Sequence, residues 1–158
     1  MVDSRAKGST AELKARDVLR KLTGLKWQRI PASGALDPIH GLKGDLYVPN
    51  KDNKFCVEVK HYKDDHLTSK VLTAKNPQLI EWWKQALRQG EQVDKQPMLI
   101  FKFDRSKWFI ALALEAFEDC NKVSDYPANT YIITDHYMVV GRLEEIVEHW
   151  EEEDWINA

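Results

Sequence analysis

The sequence predicts an α/β domain, with helices on both sides of one central mixed β-sheet. Three observations carry this expectation. An amphipathic segment near the front has helical period, with Ala15, Val18, Leu19 and Leu22 at i, i+3, i+4 and i+7. Several short β-rich runs follow, among them "DLYV", "KFCVEVK", "PMLIFKF" and "KWFIALAL". A second helical segment, "NPQLIEWWKQALRQG", divides the early runs from the later ones. Helix, strands, helix, strands is the order of an α/β sandwich.

Each element has a local reason. In "STAELKARDVLRKLTG", Ser9 and Glu12 have capping-box spacing and Gly24 supplies a stop. "KWQRI" reads as a short strand ended by Pro31, and "PASGALDPIHGLKG" as a long loop. The turn-rich "PNKDN" joins the next two strands. Alternation in the second strand puts Phe55, Val57 and Val59 on one face and Cys56, Glu58 and Lys60 on the other. The second helix is expected to start with Asn76 as cap and Pro77 inside it, and to stop at Gly90. Its buried stripe would be Leu79, Ile80, Trp83, Ala86 and Leu87, with Trp82 off the stripe and free to stack on a base or plug an interface. "PMLIFKF" and "KWFIALAL" suggest a hairpin around "DRS", and "TYIIT" and "YMVV" a second pair around Asp135-His136. "RLEEIVEHWEEEDW" reads as one amphipathic helix on Leu143, Ile146, Val147 and Trp150. The expected organisation is a domain over 1–140 and an acidic helical extension, 141–158, packed on it.

The chain has 158 residues, enough for a single substantial core. No apolar run approaches the ~20 residues that span a bilayer, and "MVDSRAKGST" is no signal peptide. Cys56 and Cys120 lack metal-ligand spacing, so free thiols in a reducing, cytoplasmic setting are expected. The net charge of −2 conceals an asymmetry: residues 1–30 carry +5 and residues 141–158 carry −6. A basic front suits a polyanion, although two unrelated solvated helix faces would give the same counts.

The chemistry lies in "KGDLYVPNKDNKFCVEVK". If its two strands pair, Asp45 at the head of one comes near Glu58 on the other. Converging carboxylates are costly without a cation, because like charges raise each other's pKa. Hard oxygen ligands with room for water suit Mg²⁺, with Mn²⁺ able to substitute. Lys60, on the Glu58 face, could stabilise charge on a phosphate. That is the equipment for metal-assisted phosphodiester hydrolysis. A solvent-facing charge ladder would use the same residues without chemistry.

Over residues 5–112 the chain resembles the archaeal-type Holliday-junction resolvases of the PD-(D/E)-x-K nuclease superfamily. The matching stretches are "RAKGSTAE", Arg29 with Ser33 and Gly34, "GDLYV", "FCVEVK", "KDDHL" and "FKF…WFIAL", in that order. The resemblance implies a restriction-endonuclease-like core and a homodimer that cuts four-way junction DNA by paired symmetric nicks. It implies Asp45, Glu58 and the Val59 carbonyl as metal ligands, Lys60 as the catalytic lysine, and Glu12 as an acid reaching the metal from the first helix. It places Ser33 near the scissile phosphate and Arg5, Lys7 and Arg29 on DNA phosphates. Lys63 and Lys70, with His61 and His66, are read as phosphate contacts or surface residues. No nucleotide cofactor and no membrane are expected. The loop from Gly34 to Gly44 is longer than the family's, "NPQLIEWWKQ" matches only loosely, and the acidic tail has no counterpart. The same core could serve an exonuclease or a repair- or restriction-type endonuclease, or the acids could frame a non-catalytic binding groove. Glu12 could equally be a helix cap.

Overall fold

The computed structural model describes residues 4–31, 42–63, 73–75, 77–122 and 125–158, and side chains from residue 8 onward. The chain opens with α1 (Ser4–Thr23), then β1 (Gln28–Arg29), β2 (Leu46–Tyr47), β3 (Asp52–Asn53) and β4 (Phe55–Tyr62). Helix α2 (Gln78–Val93) leads to β5 (Gln96–Phe103), β6 (Phe109–Ala113) and α3 (Leu114–Cys120). The chain closes with β7 (Tyr131–Ile133), β8 (Met138–Arg142), α4 (Leu143–Ile146), α5 (Glu152–Trp155) and β9 (Ile156–Asn157).

Seven strands form one mixed sheet in the order β1-β2-β4-β5-β6-β8-β7. Among the described strands only β4 and β5 are parallel, with Glu58 opposite Leu99 and Lys60 opposite Phe101. The other pairings in this sheet are antiparallel, including both expected hairpins. A parallel pair needs a crossover, and α2 is that connection.

The alternation of β4 divides the core in two. Its odd-numbered residues Phe55, Val57 and Val59 face α1, packing with Ala11, Ala15, Leu19, Met98 and Ile100. The opposite face carries Leu99, Phe101 and Phe103 under Leu79, Ile80, Trp82, Trp83 and Ala86 of α2. Glu58 and Lys60 share that second face. Helix α1 therefore covers one side of the strand that bears the acid and lysine, and α2 covers the other.

Several expectations change. Because α1 already begins at Ser4, Ser9 lies inside the helix and cannot cap it. Its buried stripe is Ala11, Ala15 and Leu19, while Leu22 is exposed. Asn76 lies outside the described residues. Helix α2 runs through Gly90 to Val93 and is closed by left-handed Asp94. Gly90 is there for space: a Cβ would sit 2.6 Å from the Lys95 carbonyl oxygen. Trp82 is 3% exposed, so it neither stacks on a base nor plugs an interface. It stands three residues after Leu79 and four before Ala86, within a stripe wide enough to take it.

The acidic tail is not one helix. Helices α4 and α5 are separated at residues 147–151, and β9 pairs antiparallel with β3. Trp150 and Trp155 are about 140° apart on a continuous helix. Yet their rings meet at 4.8 Å, and Trp155 also contacts Trp27 at 5.4 Å and Phe55 at 5.9 Å. Breaking the helix lets both rings enter the same cluster. Most of the acids line the outside; Glu145 is half-buried against Arg142, and buried Asp154 accepts from Lys122 Nζ at 2.6 Å and from the Glu151 N–H at 2.8 Å. The expected boundary after residue 140 falls inside β8, and Trp155 is part of the main core. Cys56 and Cys120 are free and buried. No helix among the described residues is long and apolar enough to cross a membrane.

Candidate active site

The site begins with Gly44. Its φ of +92° belongs to the left-handed half of conformational space, and a Cβ there would lie 2.5 Å from the Val57 carbonyl oxygen. That close approach lets the Asp45 N–H reach the same carbonyl at 2.7 Å, while the Asp45 carbonyl accepts from the Ile30 N–H at 2.9 Å. Asp45 is thus held between β1 and β4 at the point where β2 starts. Its Oδ2 accepts the Val59 N–H at 2.7 Å. A strand residue's N–H and C=O point to the same edge, so the Val59 carbonyl also faces the Asp45 edge of β4. Gly44→Ala should combine backbone strain with a main-chain clash. We expect it to cost about 1–3 kcal/mol, read as a lower denaturation midpoint in urea.

Three carboxyl groups meet here. Asp45 lies close enough to both Glu12 and Glu58 for each to shift its carboxyl. Glu12 comes from α1, three residues before Ala15 and seven before Leu19, at the edge of the helix's buried face. Glu58 is 6% exposed. Burial, then the Glu58 charge, pushes the Asp45 carboxyl up to about 7. Burial, then Asp45, pushes Glu12 up to about 7 as well, against the opposing pull of Arg29. Glu58 is raised by burial, partly offset by Lys60. Three acids raised together are a cluster with too much negative charge for its surroundings.

Arg29, expected on DNA phosphates, also pairs with Glu12. Its Nε donates to Glu12 Oε2 at 2.8 Å, with the arginine side chain one-third exposed. Lys60 is half-buried on the Glu58 face, close enough for its charge to lower the Glu58 carboxyl. Gln89 of α2 is a site residue that the sequence did not reveal. Its side chain lies close enough to Glu58 to favour the ionised carboxylate, while its Oε1 is buried without a partner. Nothing in the local sequence around Gln89 signals this placement, which depends on how α2 packs on the sheet.

Of the remaining candidates, the described Lys63 and His61 are not part of this cluster. Lys63 is exposed just beyond β4. His61 faces away from Lys60, with its Nε2 2.9 Å from Asp104 Oδ1. Arg5 and Lys7 lie in the first turns of α1, with side chains outside the described residues; Ser33, His66 and Lys70 are outside them altogether.

The donor set suits a hard divalent cation. Two adjacent carboxylates beside a main-chain carbonyl are oxygen ligands, and like-charged neighbours are relieved by a positive ion. No three His, Cys, Asp or Glu side chains among the described residues enclose an ion by themselves. Magnesium, which keeps several waters and takes only one or two carboxylates, does not require such a cage.

A mixed sheet sandwiched by helices carries Asp45 and then Glu58-x-Lys60 in the order of the PD-(D/E)-x-K pattern. The chain belongs to the family described as "Phage putative PDDEXK endonuclease", whose model matches residues 3–157. It is 42% identical over 162 residues to Protein D14 of Escherichia phage T5, with 99% of each chain covered. Among solved structures it is similar to Archaeoglobus fulgidus Hjc, a Holliday junction resolvase, with a TM-score of 0.38 and 14% identity, over 89% of this chain and 93% of that one.

Proposed function

We propose that this endonuclease acts on branched DNA, four-way junctions above all, as a Mg²⁺-dependent homodimer that places paired nicks in opposed strands. The observation that carries the hydrolytic reading is the Asp45 carboxylate held on the N–H of Val59, the β4 residue between Glu58 and Lys60, with the Glu58 charge acting on Asp45 and the Lys60 charge on Glu58. The ordered likeness of residues 5–112 to the archaeal-type resolvases supports the choice of substrate.

In this reading Asp45, Glu58 and the Val59 carbonyl hold the cation, and Glu12 adds a third carboxylate. When bound, the ion would supply Lewis acidity and charge neutralisation at the phosphate. The Val59 N–H fixes the Asp45 carboxylate, and Gln89 steadies Glu58. Arg29 keeps Glu12 aimed inward and has further guanidinium N–H groups to offer a phosphate. Lys60 presents its ammonium to the charge that builds on phosphorus during attack. Arg5, Lys7, Lys63 and Lys70 hold backbone phosphates away from the reacting centre, and Ser33 lies near the scissile one. Grip of this kind weakens steeply with salt. The work would be done in the cytoplasm of the cell that holds the DNA.

The test is incubation of the protein with a four-way junction, a linear duplex and a single strand, each with Mg²⁺, Mn²⁺ or EDTA. Paired symmetric nicks confined to the junction, lost in EDTA, are the expected result. Erosion from free ends would make the chain an exonuclease. Binding without cleavage under either metal would make it a binding module.

A further inference from the structure

We infer that two copies of this chain join through the outer strand β7, antiparallel, about a two-fold axis at Ile132. The inference rests on the homodimer reading above and adds the surface that makes the dimer.

Strand β7 (Tyr131–Ile133) ends the seven-stranded sheet, and its one partner among the described strands is β8. On an outer strand, every second residue turns its N–H and C=O away from the sheet, a template for a further strand. The opposite edge of the sheet lies at the catalytic site: Asp45 stands at the start of β2, and Arg29 of β1 pairs with Glu12. A copy docked on β1 would crowd that site, whereas one docked on β7 leaves both sites open.

This edge is apolar and uncovered on both faces. Tyr131 stands opposite Val140 and Ile132 opposite Val139. Val140 belongs to the layer under α2 and Val139 to the layer under α1. Yet Tyr131 is 62% exposed and Ile132 40%, so the described helices do not cover them. Tyr137, at the turn between β7 and β8, is 74% exposed. Residues 126–134, "YPANTYIIT", hold no charge, in a chain that is 30% charged. A strand that faces water alone is ordinarily guarded by a charged side chain or a proline. Strand β7 has neither.

The strand also fits itself. An antiparallel pair matches residues whose main-chain groups point the same way, and a two-fold axis at Ile132 does so. Ile132 then meets Ile132 of the other copy, and Tyr131 meets Ile133 of the other copy. Opposed residues share a face of the sheet, so apolar meets apolar on both faces. The two copies of Asp135 stay about 20 Å apart along the strands, beyond the ~10 Å over which salt screens charge. The exposed parts of Tyr131, Ile132 and Tyr137 supply roughly 350 Å² per copy. That is a large share of the ~800 Å² each partner gives to a standard interface, and main chain supplies more.

Sedimentation equilibrium of the full-length protein, with disulfide trapping, tests the interface. The wild type should be a dimer. Ile132→Lys sets two ammonium groups against each other at the axis and should weaken association at least about a hundred-fold, with an unchanged far-UV spectrum. Ile132→Cys should form an intermolecular disulfide under mild oxidation, because directly opposed Cα atoms lie ~4.5–5.5 Å apart, within disulfide range. Tyr131→Cys should not, since its two copies would stand about 8 Å apart. The native Cys56 and Cys120 are buried and do not compete. A dimer that survives Ile132→Lys overturns the β7 interface and leaves the homodimer standing. So does an Ile132→Cys protein that stays unbridged, or one that bridges no faster than Tyr131→Cys. A wild type that is monomeric at every concentration overturns both. If Ile132→Lys does not fold, the two cysteine variants decide alone. Cleavage by the wild type is scored separately, so the nuclease reading stands or falls on its own.

Discussion

Asp45→Asn and Glu58→Gln are each expected to reduce cleavage of branched DNA by at least about a hundred-fold, the scale of losing one preorganised electrostatic contact from an active site. Junction binding should stay within about two-fold, because neither acid grips a phosphate and each repels one. A second readout separates this from simple damage. In EDTA at pH 8, Asp45→Asn should unfold at the same temperature as wild type or higher. The ionised acid is held against Glu58 and Glu12, and the amide removes that repulsion while its oxygen can still accept the Val59 N–H. Wild-type cutting rates in both variants would refute the site. A clear drop in thermal midpoint for Asp45→Asn would show that the carboxylate is structural.

The second large effect is competition between protons and metal. Glu12 and Asp45 are both raised to about 7, from ordinary values of 4.5 and 3.8. A carboxyl raised by folding is bound to its proton more tightly in the native state than in the unfolded chain. As pH rises from about 4 the unfolded chain ionises first, so the metal-free protein loses stability from these groups, up to about 1.4 kcal/mol per pH unit for each. The loss is complete once pH passes about 7, where both states are ionised. A cation binds only the ionised acids. Its affinity should therefore rise up to about ten-fold per pH unit for each proton displaced, and level off above pH 7. Thermal midpoints with and without Mn²⁺ at pH 5.5, 7 and 8.5 should show a small metal shift at the lowest pH and a large one at the highest. An equal shift at pH 5.5 and 8.5 would mean that these carboxyls do not take up the ion.

Much of this arrangement is legible before folding. The period of two in "FCVEVK" assigns Glu58 and Lys60 to one face whatever the strand's neighbours, because successive side chains in a strand must alternate. Both hairpins were readable because short turn-rich stretches separate strongly β-forming runs. Other features were not. The pattern Ser9-x-x-Glu12 suggested a cap because local spacing carries no information on where a helix truly begins. Trp82 was misjudged because a narrow stripe drawn from periodicity understates how wide a face two packed layers bury. Nothing nearby in sequence signals that Arg29 pairs with Glu12, 17 residues earlier.

By itself the sequence determined the order of elements, the face of each β4 residue and the acid-and-lysine pattern of a nuclease, all consequences of local backbone geometry and residue chemistry. Tertiary structure alone decided that Glu12, Asp45 and Glu58 come together from a helix and two strands. It also drew Gln89 in from α2, split the acidic tail to bury Trp155, and turned Trp82 into the core. Those outcomes depend on which surfaces meet when the sheet is covered on both sides, and long-range packing of that kind has no signature in the spacing of neighbouring residues.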